Sequence, residues 1–308
     1  MAVTSLAAGS RTTGRPVPGR RRATLVAYLF ALPFVLSFLV FMVFPVVSSL
    51  GMSLTDCRSR DIPTPLAVTF VGIDQYVDLL TTPQFLRSAV NTGYFVVVGI
   101  PLTMAVALAL AVALNSGITR FRTAFRLGFY APVVTSIVAV AVVWRFILHP
   151  EGLLNTVLGG LGIQGPDWLG DTAWAMPSMI LMAVWRNVGT LMVIFLAGLQ
   201  NVPRELLEAA TIDGAGAWQR FSRVTAPVLR PTLLLGAVLL SVGYLQFFEE
   251  PFVMTRGGPL DATLSISYFT YNQFGFGNYA LASAASYVLF VVIAALSVLH
   301  FRLFRSKD

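Results

Sequence analysis

The feature that most constrains this chain is a run of 33 residues, 23–55, that contains no Asp, Glu, Lys or Arg. As a helix at ~1.5 Å per residue it would extend about 50 Å, beyond the ~30 Å hydrocarbon core of a bilayer. It is also longer than the apolar segment of roughly 7–15 residues in a cleavable signal peptide. We therefore expect an uncleaved first transmembrane helix that tilts or overhangs the bilayer.

Five further apolar runs of bilayer length follow, at residues 91–114, 127–148, 173–199, 231–250 and 279–301. Only helices or closed barrels satisfy the backbone inside lipid, and these continuous runs lack the short alternating strands of a barrel. The sequence therefore predicts an all-α, polytopic membrane protein with six transmembrane helices. In the second run, Ala105, Ala109 and Ala113 recur at a spacing that favours close helix packing.

The composition excludes several other classes of protein. Hydrophobic residues make up 56% of the chain and charged residues only 11%, whereas a soluble domain has about 25% charged residues. The single cysteine, Cys57, excludes an intramolecular disulfide and a multi-cysteine metal site. The two histidines, His149 and His300, are far apart in the sequence, so we predict no metal site and no catalytic residues.

The distribution of Lys and Arg predicts the orientation in the membrane. Fifteen of these residues fall in the N-terminal tail, the 115–126 and 200–230 loops and the C-terminal tail, against four in the opposite loops. Positive charge concentrates on the cytoplasmic side, so both termini are expected there. The net charge of +7 then indicates contact with anionic lipids and not with nucleic acid.

These spans predict the organisation of the whole chain. We expect a basic cytoplasmic tail at 1–22, a first transmembrane helix at 23–53, an external loop at 54–88, a transmembrane domain at 89–303 with a cytoplasmic loop at 200–230, and a cytoplasmic tail at 304–308.

The 200–230 loop carries the most informative pattern. Pro203 suits the first turn of a helix, Glu208 favours its positive N-terminal end, and Gly214 permits a helix-ending turn. A second short helix is expected over 217–227. This helix–turn–helix could present a small surface to another protein or lie on lipid headgroups as an amphipathic interfacial helix, and the residues alone leave both possibilities open.

The same loop carries a family resemblance. Glu208-Ala209-Ala210-x-x-Asp213-Gly214-Ala215, followed by Phe221 and Pro227, resembles the EAA loop of permeases of binding-protein-dependent ABC importers. The resemblance covers about two thirds of the chain and includes Asn91-Thr92, Tyr130-Ala131-Pro132, Trp144-Arg145, Trp185-Arg186, Leu196-Ala197-Gly198-Leu199-Gln200 and Thr255-x-Gly257-Gly258-Pro259. The last two segments are similar to the carbohydrate-uptake branch, to the first permeases of maltose and glycerol-3-phosphate systems. Ala226 departs from the Leu that is common in the family before the proline.

The resemblance implies a type I ABC importer permease whose coupling helix docks on a cytoplasmic ATPase. The residues that it assigns to docking are Glu208, Ala209, Ala210, Asp213, Gly214 and Ala215. It also implies a second, homologous permease, two ATP-binding subunits and an extracytoplasmic solute-binding protein in the bacterial inner membrane. This chain has no Gly-x-x-x-x-Gly-Lys-Ser/Thr loop, so ATP and Mg²⁺ are expected to be used by the partner subunits, and the chain is expected not to be an enzyme.

Polar residues inside the spans are candidates for a substrate pathway because their exposure to lipid is costly. The candidates are Arg186, Asn187, Tyr244, Gln246 and Glu249, with Glu250 beside the last, and Asn91 and Tyr94 as weaker candidates. Hydroxyl-binding groups next to aromatic rings suit a sugar. A structural alternative is that Arg186 pairs with a carboxylate such as Glu249 and holds two helices together.

The segment that contains Arg256, Gly257 and Gly258 is expected at the outer mouth. The family likeness places it near the docked binding protein, where Arg256 would meet an acidic patch. Its alternative role is that of a tight external turn.

Two questions stay open at the level of the sequence. A secondary transporter or channel for small polar solutes is the main alternative, although such proteins generally carry more acidic or histidine residues within their spans. Within the importer interpretation, the substrate could be a sugar, a polyol, an amino sugar or a phosphorylated glycerol.

Overall fold

A computed structural model describes residues 20–61, 63–64, 68–116 and 122–304. Within these residues the only extended pairing is an isolated antiparallel bridge between Thr55 and Phe70, and the remaining regular structure is helical. The predicted all-α class is therefore confirmed. The chain divides into two compact units, residues 1–49 and 50–308.

The helices are, in chain order, α1 (Arg20–Phe38), α2 (Phe44–Ser53), α3 (Asp74–Thr81), α4 (Pro83–Ser116), α5 (Arg122–Val134), α6 (Ile137–Ile147), α7 (Leu153–Gly160), α8 (Ala175–Gln200), α9 (Arg204–Ile212), α10 (Ala217–Arg220), α11 (Ala226–Val228), α12 (Arg230–Leu245), α13 (Glu249–Met254), α14 (Ile266–Gly275) and α15 (Tyr279–Phe304). Two π-helical turns, Leu39–Val43 and Phe221–Thr225, join α1 to α2 and α10 to α11, and a 3₁₀ turn forms at Ser59–Asp61.

Five segments are long and apolar enough to cross a membrane: Thr24–Ser53, Pro83–Asn115, Ala175–Gln200, Arg230–Met254 and Tyr279–Arg302. The predicted third span is instead two helices, Ala124–Val134 and Ile137–Ile147, that meet at 101°. Ser136 adopts an extended backbone there (φ −55°, ψ 127°), and the Thr135 hydroxyl donates to the carbonyl of Ala131 at 3.0 Å. The bend therefore interrupts an apolar run that the sequence presents as continuous.

The second span begins earlier than predicted. α4 starts at Pro83, a residue suited to the first helical turn, whereas the apolar run suggested a start near residue 91. The preceding α3 is also helical, so the described part of the 54–88 segment holds the 3₁₀ turn, one short helix and the first turns of α4.

Both π-helical turns lie directly before prolines. The N–H of Phe44 bonds to the carbonyl of Leu39, and the N–H of Ala226 bonds to that of Phe221, five residues back in each case. Pro45 and Pro227 follow immediately. A proline ring clashes with the carbonyl four residues before it, and the wider π turn relieves that clash without ending the helix.

α8 forms the centre of the unit at 50–308. It packs against α4, α5 and α12, and Met179, Met192 and Phe195 are fully buried on it. A Cβ atom at Gly189 would overlap the carbonyl oxygen of Phe129 on α5, so only glycine permits this close approach of the two helices.

The sequence predicted the wrong packed face for α4, and the observed packed face lies part of a helical turn away. Ala105, Ala109 and Ala113 are exposed in this chain, while Ala107 and Ala111 are fully buried. The predicted spacing of four residues between buried alanines is correct. Lipid is as apolar as a contact between helices, so the hydrophobic pattern of the sequence does not distinguish the buried face from the lipid-facing one.

Candidate functional site

A polar cavity of about 220 Å³ opens among α6, α8, α12 and α13. It brings together all five residues that the sequence singled out for a substrate pathway, although they come from three different helices, α8, α12 and α13, and the turn between the last two. The residues that line the cavity with polar groups are Arg186, Asn187, Tyr244, Gln246, Glu249 and Glu250.

Tyr244 joins the cavity wall to the helix core. Its side chain is 5% exposed, its hydroxyl lies 2.8 Å from that of Thr103 on α4, and its ring contacts Phe95 at a centroid distance of 5.0 Å. Phe95 in turn stacks on Phe247 at 4.0 Å. The hydroxyl of Tyr244 is therefore engaged in a helix–helix hydrogen bond, and the aromatic stack holds the wall rigid.

The amides of the cavity are more available. The Asn187 amide nitrogen donates to the carbonyl of Ala183 at 2.8 Å, which fixes the side chain and leaves its oxygen as an acceptor. Gln246 lies just after the end of α12 and is exposed. Both can bond to a hydroxyl group that enters the cavity.

Two charged groups in the cavity wall lack partners. Among the described residues, the Nε atom of Arg186 and the Oε2 atom of Glu250 are buried and have no hydrogen bond. Glu250 is only 5% exposed, and an unpaired buried polar group costs roughly 1–3 kcal/mol, more if charged. A bound molecule, a second chain or ordered water in the cavity would supply the hydrogen bonds that these atoms lack.

The predicted alternative of an Arg186–Glu249 ion pair is not observed. Over the part of the chain that the structure describes, the one ion pair joins Arg60 and Asp61 at 3.5 Å. α12 ends at Leu245, and Glu249 begins the separate helix α13. The apolar run predicted a continuous helix over 231–250, whereas residues 246–248 separate this carboxylate from α12.

Glu250 is the cavity residue to which the sequence gave too little weight. Nothing in the Glu249-Glu250 dipeptide distinguishes the half-buried carboxylate from the buried one. The packing of the folded chain decides which of the two is buried, and the neighbouring residues in the sequence do not indicate it.

The outer loop, around Arg256 to Thr263, is held in shape by its backbone conformation and by a hydrogen bond within the loop. Arg256 and Gly257 both have positive φ angles, 54° and 83°, and the Thr263 hydroxyl donates to the carbonyl of Gly258 at 2.7 Å. Gly257 is buried whereas Arg256 is exposed, as is Leu260, which is 88% exposed. The loop therefore presents Arg256 and Leu260 at its surface and uses Gly257 to form the turn.

Asn91, a weaker pathway candidate, has a structural role instead. Its amide nitrogen donates to the carbonyls of Asp261 at 2.7 Å and Leu264 at 3.0 Å. The neighbouring Thr92 hydroxyl accepts the N–H of Ile266 at 3.1 Å. This pair of residues clamps the outer loop onto α4, so Asn91 does not line the cavity.

The 200–230 segment forms the predicted helix–turn–helix. α9 begins directly after Pro203, and Gly214 takes a φ of 76°. The N–H of Ala215 bonds to the carbonyl of Ala210 at 2.9 Å, the pattern of a glycine-ended helix. Arg220 on the second helix then donates to the Thr211 hydroxyl at 2.8 Å, which ties the two helices together.

This turn exposes the residues assigned to docking. Glu208, Ala209, Asp213 and Gly214 are exposed, and Ala210 and Ala215 are half-buried. Ile212 and Trp218 are 87% and 76% exposed, which sequence reasoning missed. Burying a large apolar side chain stabilises by roughly 1.5–3 kcal/mol, so burial of these two side chains in a protein cleft or at the lipid surface would be favourable.

Residues 99–305 match the family described as the inner membrane component of binding-protein-dependent transport systems. The chain belongs to this family. The family resemblance in the sequence is thereby confirmed, and the protein is a multi-pass membrane transport subunit and not an enzyme.

Relatives in this family align over nearly the whole chain. The chain is 35% identical to the lactose transport system permease protein LacF of Rhizobium radiobacter, over 91% of this chain and 94% of that protein. It is 31% identical to the trehalose/maltose transport system permease protein MalF of Thermococcus litoralis, over 93% and 96%.

A solved structure shares the fold. It is the crystal structure of a bacterial ABC transporter involved in the import of the acidic polysaccharide alginate, with a TM-score of 0.75, 26% identity and coverage of 93% of this chain and 96% of that chain.

Proposed function

We propose that this chain is a permease subunit of an ATP-driven sugar importer in the bacterial inner membrane, with both termini in the cytoplasm. Its family is defined by binding-protein-dependent transport, and the two relatives described above are named as transporters of lactose and of trehalose or maltose. The excess of Lys and Arg in the tails and in the 115–126 and 200–230 loops supports the orientation.

The proposal rests mainly on the 200–230 segment, which we call the coupling loop. Its turn is held by the Ala215–Ala210 and Arg220–Thr211 hydrogen bonds, so its shape is set before any partner binds. Glu208 would accept charge-assisted hydrogen bonds from an ATPase subunit, and Ile212 and Trp218 would be buried in its cleft. Two such subunits would supply ATP hydrolysis with Mg²⁺, and their closure would move the permease helices.

A second, homologous permease would complete the pathway. The cavity volume of about 220 Å³ lies below the roughly 300–1,000 Å³ of most ligand sites. This chain would therefore contribute one wall, in which Arg186, Asn187, Gln246 and Glu249 offer hydrogen bonds to sugar hydroxyls and the ring of Tyr244 offers an apolar face.

The outer loop would contact the extracytoplasmic binding protein. Arg256 and Leu260 project from a turn that Asn91 holds in place, and Gly257 and Gly258 give the turn its shape. A rigid exposed loop beside the outer end of the spans is a suitable landing surface.

Purification of the tagged chain from its native membrane, followed by an ATPase assay, tests the proposal. We expect a second permease and an ATP-binding subunit to co-purify, and a sugar-loaded binding protein to stimulate hydrolysis. Replacement of Ile212 and Trp218 by Ser should abolish co-purification of the ATPase. Replacement of the equally exposed Leu260 by Ser is the matched control and should leave the ATPase bound.

One result would contradict the importer proposal. If the chain purifies alone and moves a polar solute in vesicles without ATP, it is a secondary transporter or channel, and the importer proposal is wrong.

A further inference from the structure

The cavity described above has an unusual balance of charge. Its lining contains two carboxyl groups, on Glu249 and Glu250, against one guanidinium, on Arg186. With Glu250 ionised the net charge is negative, and with Glu250 protonated it is zero. In neither state does the lining carry net positive charge.

We propose that this cavity selects uncharged saccharides over sugars that carry a carboxylate, sulfonate or phosphate, and that Glu250 is a specificity-determining residue. This inference rests on the proposed function and deepens it by naming the chemical class of substrate. Of the substrates that the sequence left open, it excludes a phosphorylated glycerol.

The three charged groups lie around one small cavity in the part of the pathway that this chain supplies, so their charges act together on a group that enters it. A roughly spherical volume of about 220 Å³ has a diameter of about 7.5 Å, which is no longer than the Debye length of ~8 Å at physiological salt. An anionic group that reached Arg186 would therefore lie within unscreened range of both carboxylates. Low-dielectric walls strengthen this repulsion further.

The unpaired atoms suit hydroxyl groups. The Oε2 atom of Glu250 lacks a partner in a side chain that is 5% exposed. A hydroxyl group suits it in either protonation state, because the ionised carboxylate accepts from the hydroxyl and the protonated carboxyl can also donate to it. The unpaired Nε–H of Arg186 is a donor on the same cavity wall. A sugar hydroxyl both accepts and donates, so it can pair with either group, whereas an anionic oxygen only accepts.

Direct binding to the purified importer tests the inference. The complex of both permeases and ATPases, in lipid nanodiscs and without the binding protein, is titrated with lactose, maltose, trehalose and arabinotriose. The sugar that binds best is then compared with its uronate analogue of the same linkage. We expect the neutral sugar to bind at least about tenfold more tightly, the equivalent of one charge-assisted hydrogen bond.

Isosteric variants identify the source of the selectivity. Glu250→Gln should weaken binding of the neutral sugar and strengthen binding of the uronate, and Glu249→Gln should strengthen uronate binding alone. Glu151→Gln removes an exposed carboxylate that lies outside the cavity and should change neither affinity. If Glu250→Gln fails to assemble, as judged by gel filtration, the Glu249→Gln variant of the half-buried neighbour tests whether removal of a negative charge strengthens uronate binding.

Several outcomes would overturn the inference: no sugar binds, the wild type binds the uronate as tightly as the neutral sugar, or the variants leave the ratio of the two affinities unchanged. The same preparation is assayed for sugar-stimulated ATP hydrolysis after the binding protein is added. Stimulation together with an unchanged ratio refutes the selectivity alone, whereas the absence of stimulation refutes the proposed function.

Discussion

Gly214 is the residue on which the shape of the coupling loop depends most directly. It has a φ of 76°, and its N–H bonds to the carbonyl of Thr211 at 3.1 Å while the next N–H bonds to Ala210. A Cβ atom at this position would meet no atom within 4 Å. Substitution by alanine therefore introduces backbone strain and no collision within the chain.

The size of the effect follows from this geometry. An L-residue with a Cβ in the left-handed conformation costs roughly 1–2 kcal/mol, with asparagine tolerated better. That cost lowers the population of the native turn by a factor of about 5–30. We expect the docking affinity of the ATPase to fall in the order Gly, Asn, Ala, Val at position 214.

Two measurements check this order: co-elution of the ATPase with the permease over a dilution series, and binding-protein-stimulated ATP hydrolysis. Gly159→Ala on α7 is the matched control, since that glycine also has open space around it and a helical backbone. The melting temperature of each variant should stay near that of the wild type, because the turn lies outside the core.

Two results would refute the reasoning. If Gly214→Asn is as damaging as Gly214→Ala, a collision with the partner, and not the backbone conformation, is responsible. If Gly214→Val leaves both measurements unchanged, docking does not require this turn.

Three further predictions concern the fold. Gly189→Ala should force α5 from α8 and cost roughly 1–3 kcal/mol or more, seen as a lower melting temperature than Gly159→Ala gives. Asn91→Ala should leave the Leu264 carbonyl without its donor and remove one of the two donors to the Asp261 carbonyl, at roughly 1–3 kcal/mol, and speed limited proteolysis there; unchanged cleavage would contradict the clamp. Hydrogen bonds from Thr69 hold the pKa of Asp56 below its usual range, so they stabilise the folded protein above the ordinary carboxyl pKa, and this stability disappears as the pH falls through the lowered value. Hydrogen exchange at the Thr69 amide as a function of pH, with correction for intrinsic rates, should follow this loss, and protection that persists through it would contradict the assignment.

The sequence predicted the candidate sites better than it predicted the contacts within them. The coupling turn depends on Pro203 and Gly214, whose effects on the backbone are local, so its form could be predicted from neighbouring residues. The pathway candidates were recognisable because Arg186 and the polar residues near the end of α12 are costly in lipid. Neither argument could show that Glu250 and not Glu249 is the buried carboxylate.

The failures have a common cause. The bend between α5 and α6 and the end of α12 at Leu245 fall inside apolar runs that give no sign of a break, and the assignment of Asn91 to the outer loop depends on contacts between residues that are distant in the sequence. The Asn91 clamp reaches residues 261 and 264, and no local pattern near residue 91 indicates it.

The sequence by itself determined the helical class, the approximate spans and the form of the coupling loop. These features follow from the lengths of the apolar runs and from single residues that restrict the backbone. Only the tertiary structure decided which face of each span is buried, where a span breaks and which charges share the cavity. The physical reason is that lipid and protein interior are similarly apolar, so the hydrophobic pattern that identifies the buried side of a helix in water is absent here.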